Sequence, residues 1–342
     1  MKTYAAIYKD NKIRENSSSG GVFSALADKF DVVYGVAMTK DCYGAEMIRV
    51  EGDISPLRGS KYFQAKVGDA FKQVKKDLEE GRRVLFSGTG CQINGLSLFL
   101  GKEYEYSNLF LLDIICHGTP SPKLWREYVT YQEAKHGKLE SVNFRCKDDS
   151  WIDFGMKENQ LYISKDTDFF MRMFLRDYCL RPSCYECQAK RYRKADMTIA
   201  DFWGIQAVAP EMNDGRGTSL VITRTEKGQE LFEGIKSELK WKEVSYEEGV
   251  KGNPSEYKSV ARSQQRDTFF EDLDKLSFDE MAKKYAADRK VPFKRRVVNK
   301  IKRTIKKILP GGVLKNIKMP TMASSSHSRS NSDYGMLLTF KK

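Results

Sequence analysis

The sequence predicts an α/β body built on a mixed sheet with flanking helices, followed by a helical basic C-terminal extension. Three observations predict it. Short apolar runs alternate with segments of helical periodicity across residues 1–255, no internal repeat is visible, and the charged, helix-favouring composition begins only beyond Ser255. In chain order, strands are expected at 3–8, 32–38, 84–87, 109–115 and 142–145, several of them continuously apolar, as strands buried on both faces tend to be. Helices are expected at 21–30, 68–80, 92–100, 122–136 and 168–178, each with apolar residues at three- and four-residue steps. Residues 1–255 form the body, divisible at 85/86 into two subdomains, and residues 256–290 a helical extension in which Ser277, Asp279 and Glu280 read as a capped helix start. Residues 291–310 read as a basic amphipathic helix and residues 311–342, small and polar, as a mostly disordered tail.

With 342 residues, 40% hydrophobic and 31% charged, the chain has the composition of a packed globular protein rather than of a disordered or fibrous one. No uncharged apolar run approaches the ~20 residues that span a bilayer, and the first residues lack a signal peptide's apolar core, so a cytoplasmic body is expected. The net charge of +13 is unevenly placed. Residues 281–342 hold 17 Lys and Arg against Asp288 and Asp333, a net +15, which leaves −2 for residues 1–280. A near-neutral body carries no electrostatic footprint for nucleic acid, so no nucleic-acid partner is expected.

Seven cysteines, an odd number without an export signal, point to reduced thiols rather than a disulfide framework. Cys179, Cys184 and Cys187 stand in a C-x4-C-x2-C cluster, a spacing that lets thiolates converge on a metal centre at about 2.3 Å. No cysteine follows Cys187, so a fourth ligand comes from Cys42, Cys91, Cys116 or Cys146 or is not a cysteine. Cys91 in SGTGCQ and Cys116 in DIICHG follow apolar strands, at the edge where α/β proteins build their sites, whereas Cys42 and Cys146 read as small buried hydrophobes. Four thiolates suit an iron–sulfur cluster or a closed zinc site.

Two loops concentrate glycine and hydroxyl groups before helices. Ser17-Ser18-Ser19-Gly20-Gly21 precedes VFSAL, and Ser87-Gly88-Thr89-Gly90-Cys91-Gln92 joins strand to helix, both placed to receive an anionic group or to act as ordinary caps. A third loop, Arg58-Gly59-Ser60-Lys61-Tyr62, adds a cation and a ring. No Lys-Ser or Lys-Thr completes a P-loop, and no triad, zincin signature or catalytic carboxylate pair can be assembled. Among the histidines only His117, beside Cys116, is placed as a proton donor, with capping or packing as its ordinary role.

Taken together, SSSGGVFSAL, RGSKYFQA, VLFSGTGCQINGL, LLDIICHGTPSPKLWREYV, LRPSCYEC and ADMTIADFWGI resemble, in content and order, the coenzyme F-420 hydrogenase/dehydrogenase beta-subunit family, in particular a bacterial branch associated with surface-polysaccharide gene sets. The resemblance implies an electron-transfer oxidoreductase with a [4Fe–4S] cluster and a flavin, usually FAD (or FMN), exchanging electrons with a redox partner protein or small carrier such as the deazaflavin. It implies Cys91, Cys116, Cys184 and Cys187 as cluster ligands, with Cys179 as a spare. It implies flavin contacts from Ser18, Ser19, Gly20, Gly21, Ser60, Lys61, Tyr62, Gly88, Thr89 and Gln92. An amino-terminal ferredoxin module known in some relatives is expected to be missing. Asp201 with Phe202 and Trp203 reads as a ring-stacking or proton-handling surface, or as core.

Within 291–310, Phe293, Val297, Ile301, Ile305 and Ile308 fall on one helical face opposite Lys and Arg, the pattern of a helix lying on an anionic membrane. The expected location is therefore cytoplasmic and peripheral on the inner membrane face, with a redox role in surface-polysaccharide metabolism. The contrasting reading is a zinc-stapled, non-enzymatic adaptor of a glycan-assembly complex.

Overall fold

Apolar runs buried on both faces account for the centre of the molecule. The computed structural model describes residues 1–101, 106–148 and 150–287, and one compact unit runs from Met1 to Ala287; the expected helix at 291–310 and tail at 311–342 lie outside the described residues. The strands are β1 (Lys2–Tyr8), β2 (Val32–Met38), β3 (Ala45–Val50), β4 (Val84–Thr89), β5 (Leu109–Ile114), β6 (Val142–Cys146), β7 (Gly155–Glu158), β8 (Leu161–Ser164), β9 (Met197–Asp201), β10 (Ser219–Thr223) and β11 (Leu239–Val244). Eight of them form a mixed sheet in the order β11-β1-β10-β9-β5-β4-β2-β3. The pairs β2–β4, β4–β5 and β5–β9 are parallel, and β9–β10, β10–β1, β1–β11 and β2–β3 are antiparallel. Two antiparallel steps restore direction, so β1 runs with β9. The carboxyl ends of β1, β2, β4, β5 and β9 therefore share one sheet edge.

Period-two alternation divides the core. Tyr4, Ala6, Val33 and Leu85 face one layer with the helices Val22–Ala27 and Glu226–Ile235, while Val32, Tyr34, Val84 and Phe86 face the helices Ala70–Glu79 and Gly90–Leu100. The expected strand at 142–145 exists as β6 but belongs to a separate three-stranded sheet, β6-β7-β8. The helix Pro122–His136 packs there with Phe169–Phe174 around Trp125, Tyr128, Phe144 and Phe170. The same core takes Phe269, Phe278, Met281 and Tyr285 from the helices Arg266–Leu273 and Phe278–Tyr285, so the chain beyond residue 255 is built into the body as far as Ala287. The first and second halves of residues 1–255 contribute strands to one continuous sheet. Ser277 starts its helix as expected, its N–H donating to Glu280 Oε2 at 2.9 Å. The helix expected to reach 178 stops at Phe174, and Asp177 adopts a left-handed φ of 62°.

Candidate functional site

The shared carboxyl edge gathers the cysteines. Thr89 closes β4, its N–H donates to Gln92 Oε1 at 2.9 Å, and the capped turn presents Cys91 in the first turn of the helix Gly90–Leu100. Cys116 lies just past β5, and Cys184 ends the turn Pro182–Cys184 three residues before Cys187. All four line one small cavity of about 30 Å³, together with His117, Lys190 and Arg193. Burial pushes the Cys116 thiol up to about 12, and negative charge on Cys184 or Cys91 would push it the same way. The Thr119 N–H points at Cys184 Sγ from 3.4 Å, and the Thr89 hydroxyl is 3.2 Å from Cys91 Sγ. Cys179 is not in this wall: it is fully buried in the aromatic core, where desolvation keeps its thiol protonated. Cys42 and Cys146 are buried, as their surroundings in sequence predict. Among the described residues no three His, Cys, Asp or Glu side chains are grouped so as to hold a single metal ion.

Behind the cavity lies a largely buried ionic network. Asp113, near the carboxyl end of the apolar β5 and with no exposed surface, pairs with Arg193, whose other nitrogen donates to the Glu256 carbonyl at 2.8 Å. Glu256 also pairs with Arg224, and the Thr198 hydroxyl lies 2.5 Å from both Asp113 Oδ1 and Arg224 Nε. Burial raises Asp113, opposed by the Arg193 charge. Each partner satisfies the next, the condition under which buried ions are tolerated.

The hydroxyl and lysine loops meet on the same edge. Ser18 Oγ lies 2.9 Å from Ser60 Oγ, and the Ser19 hydroxyl donates to the Thr218 carbonyl at 2.8 Å. Gly20 fits because a Cβ there would stand 2.4 Å from the Ala6 carbonyl oxygen, and Gly21, at φ 85°, turns the chain into its helix. Lys61 donates to the carbonyls of Pro56 and Arg58 at 3.1 and 2.8 Å, and desolvation lowers its ammonium to about 8. The Tyr62 ring packs 5.2 Å from Phe174, whose face meets the His117 ring edge-on at 5.5 Å. His117 Nε2 is in turn 2.5 Å from Asp177 Oδ1. A continuous side-chain path therefore joins the lysine loop to the cysteine cavity. Gly88, Thr89 and Gln92 are engaged with one another in the turn that carries Cys91.

Asp201, at the end of β9, faces Arg145 Nη2 at 3.1 Å, and the Arg145 guanidinium lies over Phe154 at 3.8 Å. Burial raises Asp201 against the opposing charge of Arg145. Trp203 stacks on Trp151 with centroids 5.0 Å apart, whereas Phe202 is core.

Residues 81–248 match the family described as coenzyme F420 hydrogenase/dehydrogenase, C terminus of the beta subunit. The match spans just under half of the chain. It also resembles a chain in the xenon-derivatised F420-reducing [NiFe] hydrogenase complex from Methanosarcina barkeri, at 15% identity and a TM-score of 0.53, covering 83% of this chain and 90% of that one. At that identity the likeness is one of fold. No curated protein matches the sequence.

All four cavity cysteines, Arg145 and Asp201 fall inside the F420 beta-subunit match, and the serine and lysine loops precede it. Sequence reasoning missed Arg145, Lys190 and Arg193. The available signal was a charged residue inside an apolar strand, as in VNFRC and LLDII, since such a charge needs a buried partner.

Proposed function

We propose that this protein is an electron-transfer oxidoreductase that binds a [4Fe–4S] cluster through Cys91, Cys116, Cys184 and Cys187 and a flavin, FAD or FMN, along the loops Ser18 to Gly21 and Ser60 to Tyr62. The observation that carries this reading is the convergence of four thiols from three separate chain segments on one cavity. A single tetrahedral zinc would require sulfurs roughly 3.8 Å apart, from Zn–S bonds of ~2.3 Å. Four thiols are equally the donor set of a [4Fe–4S] cluster, the choice that the family match favours. When bound, the cluster supplies one-electron chemistry and the flavin links it to two-electron transfers.

The chain's own residues prepare the two sites. Lys190 and Arg193 place positive charge in the cavity wall, which offsets the negative charge that four thiolates bring together. Lys61 and the paired hydroxyls of Ser18 and Ser60 suit the phosphates of a flavin nucleotide. Phe174, between Tyr62 and His117, fills the space between the sites and keeps water from it. Gly88, Thr89 and Gln92 are assigned here to holding Cys91 in place.

Protein purified without oxygen should contain about four irons and four sulfides per chain with a broad shoulder near ~400 nm, together with flavin. Replacing any one of Cys91, Cys116, Cys184 or Cys187 by Ala should lower iron and that absorbance several-fold, whereas Cys179→Ala should retain both. A colourless protein holding one zinc, or full iron retention in all four variants, would refute the assignment.

A further inference from the structure

The run Lys190-Arg191-Tyr192-Arg193-Lys194 crosses the cavity wall and divides its side chains between inside and outside. Lys190 turns in and donates to the Lys258 carbonyl at 3.0 Å, and Arg193 turns in to Asp113 and Glu256. Arg191, Tyr192 and Lys194 remain exposed. The run is fixed against the helix that carries Cys91, because the Asn94 side chain donates to the Tyr192 carbonyl at 2.5 Å and accepts from the Lys194 N–H at 3.2 Å. On that helix Cys91, Asn94 and Leu98 share one face, and Leu98 is 80% exposed. Tyr192 is 68% exposed and Tyr257, beside Lys258, 56%. Tyr192 lies between the lining residues Lys190 and Arg193, Tyr257 two residues after the lining Ser255, and Leu98 one turn beyond Asn94 on the Cys91 helix, so three large exposed groups lie in the segments that border the cavity, together with the cations Arg191, Lys194 and Lys258. Among the described residues none of these three cations forms an ion pair, although residues 1–280 carry a net charge of −2. The local positive charge is thus a property of this face.

Ordinary surface charge does not explain three exposed apolar anchors at the same place. Aromatic and aliphatic anchors with a charged rim are the make-up of a protein interface, and an unneutralised positive rim selects a negative partner. We propose that Leu98, Tyr192 and Tyr257, rimmed by Arg191, Lys194 and Lys258, form the docking surface for a small acidic one-electron carrier protein, which rests on the redox reading of the cysteine cavity given above. Each encounter passes one electron: the cluster is reduced by one as the carrier is oxidised by one, or the reverse, and no bond or proton is exchanged. Docking on this surface brings the carrier towards Cys91, the exposed one of the four lining cysteines.

The test uses the full chain with its cluster and a reduced acidic [2Fe–2S] ferredoxin as probe, mixed rapidly at low and high salt. In the triple variant Arg191→Glu, Lys194→Glu, Lys258→Glu the second-order rate should fall at least tenfold at low salt. The steep decline of the wild-type rate with salt should also flatten. Iron content and reduction by a small viologen should be unchanged, which separates docking from loss of the cluster. Tyr192→Ala with Tyr257→Ala should slow the carrier reaction with little change in its salt dependence. An unchanged carrier rate in an iron-replete triple variant would overturn the docking surface alone. Protein without iron would overturn the redox reading beneath it. Loss of binding to phosphatidylglycerol vesicles with an intact carrier rate would assign the patch to lipid and likewise overturn the proposal.

Discussion

Tyr128 offers one hydroxyl proton to two carboxylates. Its Oη lies 2.5 Å from Glu158 Oε1 and 2.5 Å from Asp168 Oδ2, and all three groups are buried. One O–H can donate to only one of them, so the second carboxyl must itself carry a proton to keep both bonds. Gln132 donates to Glu158 at 2.6 Å and the Met171 N–H to Asp168 at 2.7 Å. Burial pushes Asp168 up to about 7, and the proximity of Glu158 adds to the rise. For a carboxyl raised on folding, the native state binds the extra proton, so stability falls as pH rises from the unfolded value of about 4 through the folded value near 7. Asp168→Asn keeps the Oδ1 acceptor for Met171 and removes the titration. Relative to wild type, its unfolding free energy should improve by roughly 1–2 kcal/mol between pH 5 and 8, less than the unit-for-unit conversion because Glu158 shares the proton. Urea denaturation at both pH values measures this, and a difference that does not move with pH would remove the argument.

At the scale of elements, β1, β2, β4 and β5 were legible as apolar runs, whereas β9 and β10 in the middle of the sheet and β3 and β11 at its edges were not. The helix Pro122–His136 coincides with its expected limits because Ser121 caps it, Pro122 opens it and Gly137 ends it, three local signals that agree. By contrast β3 and β11 are outer strands; β11 reads LKWKEV, mostly exposed, with no apolar run to mark it. The helix expected over 168–178 was too long because apolar periodicity continues past Phe174, where the backbone turns instead to place Asp177 against His117. The serine loop hangs on β1 through the Tyr8 N–H to Gly20 carbonyl bond of 2.7 Å, and Gly20 also touches β10. Gly20→Ala would force its Cβ against the Ala6 carbonyl, costing about 2 kcal/mol and parting Ser18 from Ser60. A thermal melt and the flavin content of purified protein should both fall. Gly234→Ala, in the helix Glu226–Ile235 where a Cβ meets nothing within 4 Å, should instead stabilise by up to ~1 kcal/mol, and an equal loss in both variants would discount the steric account.

For the molecule as a whole, the class of fold was readable because apolar runs are properties of neighbouring residues, whereas ligand spacing marked Cys184 and Cys187 together with Cys179, which lies outside the cavity, and the full set of four came from the family resemblance. Asp113, Arg145, Arg193 and Glu256 were not, since each acquires its role from a partner far along the chain, as Arg193 does from Asp113 and Glu256. The concentration of positive charge beyond residue 281 belongs to this scale too: deletion of residues 291–342 should abolish binding to anionic liposomes while leaving the fold of residues 1–287 intact, measured by co-sedimentation and circular dichroism, and undiminished binding would dismiss membrane attachment. The position of β1 sets a timetable. Lys2, at the start of the chain, bonds to Thr223, 221 residues later, and the strand's other neighbour is β11. A nascent chain can join β2, β4, β5 and β9, and with them the cysteine segments, well before β10 and β11 exist to receive β1. Closing so long a loop is slow, and until it closes the serine loop has nothing to hang from. The cysteine wall waits as well, because its Lys190 and Arg193 are held by Lys258 and Glu256 and its Cys187 N–H by Ser259, so both halves of the edge become competent only once the last part of the body has been made.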